Sequence, residues 1–231
     1  MEIYNYSELD NSVLGKPINP DKGSRGDVYR YGDIAIKKYR SVSYDCDNIQ
    51  LDMFENLREI QLPAFVELID CTTEVVEDER ETYDIYGRPN KREVVSAYSS
   101  RFYETSDEFM IDKPLDYTLS SLYEFKKLVE ELNKKDIVIA DSHGENLIVA
   151  DNNIVIIDPD FYRKHNNPDK INQKRVKEYL RELWLDEYDR EFETEYVIKN
   201  LFKGSIDETI DRIKSSNEST PRKLLARELK R

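Results

Sequence analysis

Asp141, Asn146 and Asp158 are the residues of this chain whose types and spacing most directly suggest chemistry. Asn146 stands just before the apolar run Leu147–Ala150, and Asp158 stands just after Ile154–Ile157. Between the runs, Asp151-Asn152-Asn153 supplies side chains that bond their own backbone and tolerate left-handed conformations. The spacing therefore predicts a β-hairpin. Paired strands lie about 4.8 Å apart, which puts Asn146 and Asp158 at the same open end. An amide oxygen and a carboxylate there can share one hard cation, since magnesium takes oxygen ligands and usually only one or two from protein. Asp141 lies five residues before Asn146, on the segment entering the hairpin. A carboxylate there can act as a base on a hydroxyl nucleophile.

The elements around these residues divide by type. Residues 1–40 read as strands and turns, punctuated by Gly23, Gly26 and Gly32 and ending in the strand Asp33–Tyr39. Ile49, Met53, Phe54, Leu57 and Ile60 give residues 47–61 helical spacing, with Asp47 as cap and Pro63 as stop. Two β-rich runs, 72–86 and 92–104, flank Gly87-Arg88-Pro89-Asn90 and predict a long antiparallel hairpin. Residues 116–134 return to helical periodicity. After residue 160 comes a polar loop, RKHNNPDK, and then helices at roughly 171–188, 191–203, 205–216 and 220–230. Strand-rich sequence followed by helix-rich sequence predicts an α+β protein, with a β-rich N-terminal lobe over 1–104 and a small helical C-terminal lobe over 105–231.

In chain order these parts resemble the protein-kinase-like superfamily, which spans protein kinases and the small-molecule kinases related to aminoglycoside phosphotransferases. The resemblance covers roughly residues 14–165 and is most specific at Asp141-Ser142-His143-Gly144-Glu145-Asn146, with Asp158 twelve residues later. It implies a two-lobed kinase-like fold that binds ATP and magnesium. It implies that Asp141 orients or deprotonates the acceptor hydroxyl, and that Asn146 and Asp158 hold magnesium against the nucleotide phosphates. His143, where small-molecule kinases often carry His, would contact the transferring phosphoryl group. Ala35-Ile36-Lys37 is similar to the strand whose Lys binds the α and β phosphates. Gly23-Ser24-Arg25-Gly26-Asp27-Val28 resembles the end of the glycine-rich phosphate loop, with Val28 roofing the adenine; Asp21 stands where the first glycine would be. The acid expected to pair with Lys37 is Glu55, with Glu59 one helical turn on as the alternative.

The chain departs from protein kinases at informative points. Ile139-Ala140-Asp141 replaces His-Arg-Asp, which removes the usual receptor for a phosphorylated activation loop. Asp158-Pro159-Asp160 replaces Asp-Phe-Gly, and Pro159 fixes its own φ. No Ala-Pro-Glu follows. The expectation is an unswitched phosphotransferase acting on a hydroxyl, with a Ser/Thr protein acceptor favoured over a small molecule. Transfer of AMP by a reversed nucleotide is an alternative within enzymes. A pseudokinase acting as a nucleotide-binding scaffold is the alternative outside them.

Composition sets the remaining bounds. A net charge of -13 over 231 residues repels nucleic acid, so no nucleic-acid partner is expected. Two Cys and two His make no zinc-ligand set, and the two Cys read as reduced thiols. The N-terminal residues lack the basic and apolar regions of a signal peptide, and no apolar run approaches the ~20 residues that span a bilayer. A cytoplasmic protein, or one exported without such a signal, is expected, with no membrane partner. The basic helix at 220–230 offers a possible docking surface for a partner, although Leu224, Leu225 and Leu229 on one side also fit packing onto the helical lobe.

Overall fold

The computed structural model describes residues 11–18, 25–42, 49–77, 91–105, 110–140, 146–150, 153–160, 162–188 and 192–230. They form a mixed α+β structure that divides into two compact units. One takes residues up to Gln61, Val66–Tyr103 and Pro159–Phe161. The other takes Leu62–Phe65, Glu104–Asp158 and Tyr162–Arg231. The main division thus falls between Tyr103 and Glu104, with two short exchanges at 62–65 and 159–161.

The first unit begins with the short helix α1 (Asn11–Leu14), in a region whose sequence predicts strands and turns. Its main element is an antiparallel sheet of β1 (Gly26–Tyr31), β2 (Ile34–Tyr39), β3 (Leu68–Glu77) and β4 (Lys91–Arg101), ordered β1-β2-β4-β3. Directly opposed residues share a face of an antiparallel sheet, so register decides which side chains meet. Leu14, Tyr29, Ile36 and Ala97 form a buried cluster on one face. On the other, Val28, Lys37, Tyr98 and Cys71 stand in one row across four strands. Helix α2 (Leu51–Arg58) packs on the β4 and β3 end of that row by burying Met53, Phe54 and Leu57, with the Phe54 and Tyr98 rings 6.1 Å apart.

Helix α2 is shorter than the expected 47–61, and its N-cap is Gln50, whose side chain makes no cap hydrogen bond. The reason is strand competition. β2 ends at Tyr39, leaving the edge of β4 beyond Ala97 open, and the Ile49 carbonyl accepts from Val95 N at 2.8 Å while Gln50 bridges Val94. Asp47, the expected cap, and the turn at 87–90 lie outside the described residues.

In the second unit, a single 3-10 turn (Met110–Asp112) precedes helix α3 (Leu115–Lys134), which buries Leu122, Phe125, Leu128, Val129 and Leu132 as its periodicity predicts. Strand β5 (Ile137–Ile139) follows; then come the hairpin β6 (Leu147–Val149) and β7 (Ile154–Ile156), and β8 (Tyr162–Lys164), which pairs with β5. β8 replaces part of the expected polar loop. Only Tyr162 of its three residues is buried, so the sequence carries no alternation from which to read a strand.

Among the described residues the helices α4 (Pro168–Tyr188), α5 (Phe192–Leu201), α6 (Ile206–Ser215) and α7 (Pro221–Glu228) follow. Ser205 and Glu208 form a reciprocal capping box on α6, and Thr220 caps α7 with Pro221 in its first turn. Leu224 and Leu225 are fully buried, so the leucine side of the basic terminal helix is engaged in packing within its own unit. Among the described residues no helix is long and apolar enough to cross a membrane.

Candidate functional site

In the first unit the sheet gathers four of the residues that the sequence assigns to nucleotide. Gly26 and Val28 alternate along β1, and Ala35 and Lys37 alternate along β2. The register Gly26↔Tyr39, Val28↔Lys37 and Arg30↔Ala35 puts all four on one face, together with Tyr39. Gly26 has a steric reason to lack a side chain, because a Cβ there would lie 2.6 Å from the Lys38 carbonyl oxygen. Gly23 lies outside the described residues.

The Lys37 side chain is only 12% exposed, and its ammonium donates to Asp160 Oδ2 at 2.7 Å. The other carboxylate oxygen accepts from the Tyr39 hydroxyl at 2.5 Å. The Asp160 side chain is wholly shielded from solvent. The ammonium also lies 5.6 Å from the Tyr39 ring centroid and 6.0 Å from that of Tyr98, within reach of cation–π attraction. A carboxylate that accepts two charge-assisted or hydroxyl bonds while buried has a fixed orientation. It therefore holds the Lys37 ammonium in place on this face.

The expected Lys37–Glu55 pair is not what the fold makes. Glu55 Oε2 instead meets Arg58 Nη2 at 2.5 Å within α2. Glu55 and Arg58 both act electrostatically on Cys71, at the β3 end of the row. With β4 between β2 and β3, Cys71 and Lys37 are two strand spacings apart, about 10 Å. Once Phe54 and Leu57 anchor this short helix on the sheet, its acid stands over the wrong strand. Glu59, the alternative, is exposed just past the helix end. Burial pushes the Cys71 thiol up to about 12, with the Glu55 and Asp70 carboxylates adding to the shift.

In the second unit, β6 and β7 form the expected hairpin. Leu147 pairs with Ile156, and Ala150 and Asn153 exchange backbone bonds at 2.9 and 3.3 Å across the turn. At the open end the Asn146 carbonyl accepts from Ile157 N at 2.9 Å, so Asn146 and Asp158 leave adjacent strands side by side. Both are half-buried. The buried Tyr162 hydroxyl has no hydrogen-bond partner among the described residues, and Asp158 is near enough to contribute to the strong upward shift that burial imposes on it. An amide, a carboxylate and a hydroxyl in search of a partner suit an oxygen-ligated magnesium that keeps most of its waters. Among the described residues no group of three His, Cys, Asp or Glu side chains forms a metal cluster. Asp141 and His143 lie outside the described residues.

Two supporting residues escape sequence reading. Asn172, fully buried on α4, donates to the Ile137 carbonyl at 2.8 Å and accepts from Ile139 N at 2.9 Å. It thereby clamps β5, the strand that feeds Asp141. Asp160 is the other. Its only sequence signal is a second acid two residues after Asp158, where the superfamily pattern has glycine. Comparison with protein-family models and with curated proteins finds no match.

Proposed function

We propose that the chain is an ATP- and magnesium-dependent phosphotransferase of kinase-like, two-lobed architecture, acting on an alcohol with a Ser/Thr side chain as the favoured acceptor. The observation that carries this reading is the common sheet face of Gly26, Val28, Ala35 and Lys37, with the ammonium oriented by buried Asp160. A glycine beside a lysine on such a face suits phosphate, because backbone and point charge can both approach closely.

In this reading Lys37 neutralises phosphate charge, and Tyr39 and Asp160 keep its ammonium from relaxing toward solvent. Asn146 and Asp158 would hold magnesium, which supplies further neutralisation of the phosphates when bound. Asp141 orients the acceptor hydroxyl and takes its proton as the oxygen bonds to phosphorus and ADP leaves. Pre-set charges and a positioned nucleophile account for most of such a catalyst's effect.

One observation favours a second reading, a scaffold that binds nucleotide without turnover. Lys37 is already engaged by a buried carboxylate, and an acid beside the phosphate site disfavours a polyanion. Incubation with γ-labelled and, separately, α-labelled ATP distinguishes the cases. Label transferred only from the γ position supports phosphoryl transfer. Label only from the α position means AMP transfer, and no label with ATP binding retained means a scaffold.

A further inference from the structure

Helices α4 and α5 enclose a half-open cavity of about 370 Å³ whose walls are mostly basic. Lys174, Lys177 and Arg181 line it from α4, at successive helical turns of one face. Lys199 lines it from α5, and Lys203 from just past that helix's end. Among the described residues Glu178 is the sole acid in the lining. The floor is Phe202, whose ring stacks edge-on against buried Trp184 at 5.1 Å. Tyr196, 62% exposed, stands at the rim.

A charged helix face is ordinarily just a solvated one. Here two such faces line one cavity, and the charges are not balanced. Glu178 is shared between Lys174 at 3.4 Å and Arg175 at 3.0 Å. Arg181 pairs with Glu182 at 2.9 Å. Among the described residues no carboxylate lies within ion-pair distance of Lys199 or Lys203. Lys177 is buried, 8% exposed, and its ammonium bonds the Gly204 carbonyl, not a carboxylate. Burial lowers its pKa, with nearby Arg212 adding to the shift and the Glu208 and Glu178 carboxylates opposing it. Lys199 and Lys203 are thus the lining cations with which an entering anion would pair.

We infer that this cavity is a binding site for a compact, multiply charged phosphate compound, a small diphosphate-type ligand. The cavity is of ligand size. Residues 174–181 of α4 span only about 10 Å, two helical turns, too short to track a nucleic acid or coat a membrane. The Tyr196 ring offers a flat apolar surface for the organic part of such a ligand.

Calorimetric titration of the full chain with inorganic pyrophosphate, at constant ionic strength without magnesium, tests the assignment. The wild type should bind saturably, and the double variant Lys199→Glu/Lys203→Glu should bind at least about tenfold more weakly. Both positions are exposed, so an unchanged thermal midpoint should accompany that loss. No saturable binding, or equal affinity in the double variant, would overturn the assignment; the second result would put the pyrophosphate elsewhere on the chain. Tighter binding of a phosphoserine peptide than of pyrophosphate would overturn the small-molecule class.

Discussion

Lys37 on β2 and Asp160, 123 residues later, form a 2.7 Å ion pair whose carboxylate is sealed from solvent and whose second oxygen is taken by Tyr39. Removing one partner of a buried pair leaves the other charge uncompensated, at a cost of about 3–5 kcal/mol. Asp160→Ala should approach that loss in chemical denaturation. Tyr39→Phe, which removes one hydroxyl bond, should cost about 1 kcal/mol. In a double-mutant cycle the two changes should be strongly non-additive, since they share one carboxylate.

Gly26→Ala tests the close approach of β1 and β2. The added Cβ would meet the Lys38 carbonyl oxygen at 2.6 Å, and that atom belongs to backbone and cannot swing aside. Overpacking of this kind costs about 1–3 kcal/mol. The midpoint of denaturant unfolding should fall accordingly. Gly32→Asn should have a much smaller effect: φ is +61° there, a Cβ would meet no atom within 4 Å, and Asn tolerates that conformation.

Cys71 should be a poor nucleophile. Its thiol sits near 12, so the thiolate fraction stays small up to alkaline pH. In a Cys46→Ser background, alkylation at pH 8 should run well over tenfold slower than for an unperturbed thiol of pKa about 8.5, and should accelerate with each unit of pH toward 12. Glu55→Gln removes one of the charges that raise Cys71 and should speed the reaction.

Glu187 on α4 gives a stability signature. Its carboxylate accepts from Ile111 N at 2.7 Å, yet burial holds its pKa above the ordinary 4.5. The folded state therefore binds this proton more tightly than the unfolded state does. The resulting stability is fully present below 4.5 and is lost as pH rises through the folded value. Glu187→Gln keeps an oxygen for Ile111 and removes the titration. Thermal unfolding of the variant should be flatter with pH just above 4.5, with no loss of stability at neutral pH.

Several of these features are legible in the sequence, for identifiable reasons. The hairpin at 147–156 is local, closed by a turn whose chemistry is written in Asp151-Asn152-Asn153. Helix α3 announces itself through periodicity, and α6 and α7 also through the caps Ser205 and Thr220. The common face of Ala35 and Lys37 follows from strand alternation alone, whereas Val28 joins them only through the β1–β2 register. The partner of Lys37 follows from neither. It depends on where a two-turn helix seats Phe54 and on the long-range return of Asp160, neither of which leaves a periodic signal. β8 is hidden because one buried residue in three makes no pattern, and Asn172 is hidden because a clamp on two backbone groups looks in sequence like any polar helix position.

Turnover of the Asp158→Ala variant tests the central claim most directly. With γ-labelled ATP, magnesium and a cell extract as acceptor pool, the purified wild-type chain should add label to an acceptor above the extract's own background. Loss of a metal-holding carboxylate should reduce that increment by at least about 100-fold, on the scale of removing one transition-state charge contact. Labelling by Asp158→Ala at the wild-type rate would contradict the account.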